Sequence, residues 1–144
     1  MTATAATPSS TGAPSYTESL PRVPASAGRA RRLVGDALAT WYLAALQPDA
    51  ELVVSELVTN AVEHARADVI RVTITRLAAG AVRIGVIDKD CGEPSPRAAG
   101  PRDEDGRGLV IVGALAVRWG VDRMRWGKRV WADLGVDGAA GGGV

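Results

Sequence analysis

Two alternating segments constrain this chain more than any other feature. From Val69 to Leu77, Ile70, Val72 and Ile74 alternate with Arg71, Thr73 and Thr75. From Val82 to Asp88 the alternation returns, with Val82, Ile84 and Val86 on one face. A period of two marks a half-buried strand, because successive side chains point to opposite faces. Ala78-Ala79-Gly80 between them reads as a hairpin turn. Parity also puts Asp88 on the apolar face, at the strand end. A carboxylate there needs a partner, since burying a bare charge costs several kcal/mol. An adenine exocyclic amine is one such partner; a turn at an already solvated rim is the plainer reading.

Helical spacing governs the segment before the hairpin. Ala30, Leu33, Val34, Ala37, Leu38 and Trp41 recur at three and four, which predicts a helix over 25–42 with Ser26 as its cap. Pro48 suits the first position of a second helix running to about Ala65, with Asp49 and Glu51 favourable in its first turn. Tyr16 to Leu20 reads as a short strand. Leu109 to Trp119 is ambiguous: Leu109-Val110-Ile111-Val112 has strand propensity, yet Leu109, Val112, Leu115, Ala116 and Trp119 fit a helical stripe. A buried helix is the reading adopted. Two closing strands are expected near 121–124 and 129–134, joined across Gly127.

The flanks lack any apolar period. Residues 1–14 read as a disordered arm and 136–144 as a flexible tail, which leaves one folded domain over 15–135. The arm has neither a basic start nor an apolar stretch, so it does not read as a signal peptide. No apolar run is long enough to span a bilayer. A net charge of +1 argues against a protein that works by coating nucleic acid. These features together predict a cytoplasmic protein with no membrane or direct nucleic-acid partner. The single cysteine, Cys91, excludes an internal disulfide and a cysteine-cluster zinc site.

Three features carry the chemistry. Glu56, Asn60 and His64 recur every four residues and form a polar line along the second helix, opposite an apolar face that includes Leu52, Val53 and Leu57. A carboxylate one turn from a carboxamide suits a magnesium site: the amide oxygen is a hard neutral ligand, and the carboxylate can take a proton. A solvated helix face would carry the same residue types. Asp88 is the second feature. The third is Gly106-Arg107-Gly108-Leu109, where two glycines ahead of a buried helix let the backbone approach an anion. Between the second and third lies Lys89 to Asp105, with three prolines and two glycines and no apolar period, a composition expected of a functional lid.

The order Glu56-x-x-x-Asn60, Asp88-x-x-x-Gly92 and Gly106-Arg107-Gly108-Leu109 resembles the N, G1 and G2 boxes of the GHKL ATPases. The stretch 55–64, Ser-Glu-Leu-Val-Thr-Asn-Ala-Val-Glu-His, is most similar to the anti-sigma-factor serine kinase branch of that superfamily. The resemblance covers about residues 15–135. It implies a Bergerat-type α/β (α+β) two-layer sandwich, a mainly antiparallel sheet with helices on one face. It implies ATP and magnesium as cofactors, Asn60 as the magnesium ligand, Asp88 as the adenine-reading aspartate and Glu56 as general base. Gly92, Gly106, Gly108 and Leu109 match the nucleotide boxes. Arg107 is placed against phosphate and His64 against nucleotide or the helix end. Where the family's G1 box often reads Asp-x-Gly-x-Gly, this chain has Asp90 in place of the first glycine. Two functions follow from the resemblance. One is a protein serine/threonine kinase that phosphorylates a small antagonist protein, sequesters a sigma factor and so regulates transcription by partner switching, with a second copy of itself, as a homodimer, a further candidate partner. The other is a catalytically weak ATP- or ADP-sensing module that sequesters a partner. Glu56 favours the first and Asp90 the second.

Overall fold

A computed structural model describes residues 6–8, 13–89 and 107–136. The elements in chain order are β1 (Ala6–Pro8), β2 (Pro14–Pro21), α1 (Ser26–Thr40), a 3-10 turn (Ala44–Leu46), α2 (Gln47–His64), β3 (Val69–Ala78), β4 (Ala81–Asp88), α3 (Arg107–Leu115), β5 (Arg118–Met124) and β6 (Gly127–Gly135). The strands form one antiparallel sheet in the order β1-β2-β3-β4-β6-β5. The architecture is the expected α+β sandwich.

The hairpin of β3 and β4 is the centre of the sheet. Ile70, Val72 and Ile74 face the helices, as do Val82, Ile84 and Val86, and all six are buried. Leu20 of β2 and Val130, Ala132 and Leu134 of β6 extend the same apolar floor. Above it α1 contributes Leu33, Val34, Ala37 and Leu38, and α2 contributes Val53, Val54, Leu57 and Val58. Fully burying a side chain of this size contributes about 1.5–3 kcal/mol. This layer is therefore what holds helices and sheet together.

Helix α2 lies between its neighbours, packing on α1 along one side and on α3 along the other. That position corrects the expected face. Val53 and Leu57 are buried as predicted, but Leu52 is 44% exposed, and Asn60 falls inside the buried arc. A helix covered on three sides buries a wider arc than a simple two-faced pattern supposes.

Three further expectations change. Ser26 does not cap α1: its hydroxyl donates to the Pro21 carbonyl at 2.6 Å, and Ala25 stands at the cap without a side-chain bond. Trp119 is not on α3, which ends at Leu115; the Val117 N–H donates to Asp133 O at 2.8 Å, so the chain has already joined the sheet. The strand–strand connection after Met124 is Arg125-Trp126, and Gly127 opens β6. Within the expected disordered arm, Ala6–Pro8 pairs with β2. Among the described residues, no helix is long and apolar enough to cross a membrane.

Candidate functional site

Asp88 ends β4 on the helix-facing side and is 7% exposed. Its carboxylate has found protein partners. Oδ2 accepts from the Arg66 N–H and Oδ1 from the Ala67 N–H, both at 3.3 Å. These amides belong to the connection 65–68 between α2 and β3. Each oxygen keeps lone-pair capacity for a second donor, so the carboxylate can hold the connection and still accept from a ligand.

The same connection is gripped from its other side by Arg22, which follows β2. The Arg22 Nε donates to Ala67 O at 2.6 Å and Nη1 donates to Val62 O at 3.2 Å. The Arg22 N–H donates to Asp68 O at 2.8 Å. Val62 lies in the last turn of α2, whose carbonyls lack helical partners, so a guanidinium there also suits the negative end of the helix dipole. Asp88 takes the amides and Arg22 takes the carbonyls. Together they fix where α2 ends relative to the end of β4. The sequence carries no signal for this role of Arg22, because the contact joins residues 40 and 45 positions apart.

Along α2, Asn60 is 7% exposed, and among the described residues its carboxamide has no hydrogen-bond partner. Among the described residues the fully buried polar side-chain atoms without a partner are Arg76 Nε and Trp131 Nε1, and the Asn60 amide is not one of them. Glu56, one turn earlier, is half-buried. His64, one turn later, is also half-buried, and its Nε2 lies 3.8 Å from Glu63 Oε1. The three thus form a line that passes from partial exposure through burial, and it ends beside the connection that Asp88 holds.

At the third feature, Arg107 and Gly108 open α3, and Leu109 is buried in the common core with Val112. Gly92 and Gly106 lie outside the described residues, as does all of the expected lid, Lys89 to Asp105, except Lys89. Gly127 has φ +157°, and a Cβ there would overlap the Asp88 carbonyl oxygen. The β5–β6 turn can therefore close against the end of β4 only with glycine at this position. Lys128, the next residue, is the register partner of Asp88 on β6.

Asn60 also fits a magnesium ion. Magnesium takes hard oxygen ligands and keeps several waters, binding proteins through one or two groups plus substrate phosphates. Among the described residues, no group of three His, Cys, Asp or Glu side chains could cage a metal. A single amide oxygen is consistent with an ion that arrives with a nucleotide.

The sheet face away from the helices carries the Arg- and Trp-rich strands. Asp133 is 3% exposed and bridges Arg83, whose Nε donates at 2.6 Å, and Arg118, whose Nε donates at 2.9 Å. Burial pushes the Asp133 carboxyl up, but the bonds from Arg83 and Arg118 outweigh it and hold it below its usual range. Arg83 also stacks over Trp131, 4.2 Å from the ring centroid. This cluster ties β4, β6 and β5 together and lies on the opposite side of the sheet from Asn60 and Asp88.

Comparison with known proteins agrees with this geometry. An uncharacterized protein of Streptomyces coelicolor is 39% identical over 72 residues, which span 48% of this chain and 69% of the relative. The model of the histidine kinase-like ATPase domain matches residues 20–133, a span that contains every residue of the three boxes. The chain belongs to the histidine kinase-like ATPase domain family.

Proposed function

We propose that this chain is an ATP-binding regulatory protein that transfers the γ-phosphoryl group of Mg-ATP to a serine or threonine of a small antagonist protein. It would control transcription by switching between that antagonist and a sigma factor. The observation that supports this reading best is Asn60: a residue 7% exposed whose carboxamide makes no hydrogen bond among the described residues, one turn from a half-buried carboxylate and near the node that holds Asp88.

Mg-ATP, when bound, supplies the phosphoryl group and the leaving ADP. Asn60 would hold the magnesium through its amide oxygen, and the ion would supply positive charge to the phosphates. Asp88 accepts from the adenine amine with the lone pairs that the 66–67 amides leave free. The first turn of α3 offers N–H groups to phosphate. Glu56 accepts the seryl proton as the serine oxygen bonds to the γ-phosphorus and the bond to the β,γ-bridging oxygen breaks. Positioning supplies most of the acceleration in such reactions, so the rigid placement of α2 by Arg22 and Asp88 serves the reaction directly.

Glu56→Gln separates this reading from a non-catalytic module. The substitution keeps shape, so calorimetric affinity for Mg-ATP should stay near wild type. Transfer of labelled γ-phosphate to an antagonist protein should fall by about 10²–10⁴-fold, nearer the low end for a loose transition state. A wild-type chain that binds Mg-ATP and phosphorylates no antagonist would establish the sensing module instead, the reading that Asp90 in the G1 box favours.

A further inference from the structure

The sheet face away from the helices carries a pocket that none of these roles uses. Its volume is about 260 Å³, and Ser19, Ala67, Val69, Arg71, Ile87 and Lys89 are among its walls. Ser19, Arg71 and Ile87 are register neighbours across β2, β3 and β4, so they share this face. Val69 at its edge is 53% exposed.

The arginines of this face are otherwise paired. Arg83 and Arg118 are bound by Asp133, and Arg129 by Asp122. Arg71 is half-buried and has no carboxylate partner among the described residues. Lys89 stands at the end of β4, with its ammonium 5.9 Å from the Trp126 ring centroid. The pocket thus combines an apolar floor of Val69 and Ile87 with two cations and one carboxylate, Asp68, which is fully solvated and lies 4.0 Å from Arg22 Nη2, so the lining keeps a net positive charge. Its volume lies below the roughly 300–1,000 Å³ of small-molecule sites, which suits one or two side chains of a protein segment. A guanidinium fork matches a carboxylate in geometry and charge. The geometry points to a docking site for an acidic peptide segment of a partner protein, in which an aliphatic residue enters over Val69 and Ile87 while an adjoining Glu or Asp pairs with Arg71.

The site is physically joined to the other face. Ala67 lines the pocket, and its N–H is the donor to Asp88 Oδ1. A segment seated there shifts the connection that orients Asp88. By linkage, nucleotide then changes peptide affinity by the same factor that peptide changes nucleotide affinity. This coupling rests on the ATP reading; the docking site itself does not.

The test titrates Ac-Glu-Leu-Glu-NH2 into the isotope-labelled full chain without nucleotide. Amide shifts should concentrate at Val69, Arg71, Ile87 and Lys89. Binding should weaken at least about tenfold for Ac-Gln-Leu-Gln-NH2 and for Arg71→Glu, the loss expected of one charge-assisted pair. Arg71→Gln serves as a second variant should the charge reversal disturb folding. Absence of shifts at these residues at millimolar peptide, equal binding of the neutral peptide, or unchanged binding in both variants overturns the docking site. Repeating the titration at saturating Mg-ATP tests the coupling, and an unchanged peptide affinity overturns it. Failure of the ATP reading would show separately, as no heat in the nucleotide titration, with the peptide result still standing.

Discussion

Replacement of Asp88 by alanine or asparagine should cost stability as well as nucleotide. Were Asp88 only a base-reading group, its removal would leave the free protein unharmed or slightly relieved. The structure gives the carboxylate a second task, holding the Arg66 and Ala67 amides at 3.3 Å. Hydrogen bonds to a charged acceptor are worth roughly 1.5–3 kcal/mol each. These two are longer than the usual range of about 2.7–3.2 Å, so each belongs at or below the low end. Arg66 is exposed and Ala67 half-buried, so water recovers part of the loss. Asp88→Ala should therefore destabilise by about 1–2 kcal/mol. In a domain of this size that lowers Tm by roughly 3–10 °C. Asp88→Asn keeps one acceptor and turns an NH2 toward the other amide, so it should lose about half as much. Both variants should lose about 10- to 100-fold in Mg-ATP affinity, the worth of one charged hydrogen bond. Thermal melts and calorimetry on the same samples check both parts. Melting within a degree of wild type for the alanine variant would refute the structural role. Undiminished binding in both variants would refute the base-reading role.

The other side chains give predictions of different sign. Asn60→Leu removes an amide that makes no hydrogen bond among the described residues and nearly keeps the volume. The free variant should melt no lower than wild type, while stabilisation by Mg-ATP disappears; a clearly lower melt of the free variant would make Asn60 structural. Asp133 carries the pH dependence. Its folded pKa lies below the unfolded value of about 3.9, so its contribution is full above that value and is lost as pH falls through the folded pKa. Asp133→Asn should melt lower than wild type at pH 7 by about 1–2 kcal/mol, discounted because Arg118 is largely solvated. The two proteins should converge only in acid well below the unfolded value of about 3.9, once Asp133 is protonated in the folded state, and a gap that persists after that protonation would contradict the sign. Arg22→Met should destabilise by about 1–2 kcal/mol through the unpaired carbonyls of Val62 and Ala67, and a melt equal to wild type would remove its clamp role.

Much of this protein was legible in its residues because local periodicity is a local quantity. The alternation in 69–88 placed the central hairpin and its buried face, and the spacing in 25–42 placed α1, because strand and helix expose side chains at fixed intervals. The three boxes were legible for a related reason: their chemistry is carried by residue type and order, and the family match covers all of them. What failed locally depended on neighbours. The pattern set Leu52 against Asn60 across α2, yet packing by both α1 and α3 buries Asn60 and exposes Leu52. The stripe through Trp119 looked helical until backbone pairing with β6 claimed Val117. The partners of Asp88 lay 21 and 22 residues away, and the Arg22 clamp spans 40 and 45. No window on the sequence contains such pairs. The sequence by itself determined the periodicity of α1 and of the central hairpin and the order of the three boxes that the family match covers. Only the tertiary structure decided that Asn60 would be buried and that Arg71, unlike Arg83, Arg118 and Arg129 on the same face, would have no carboxylate partner among the described residues, because burial and pairing are set by whatever the fold brings alongside.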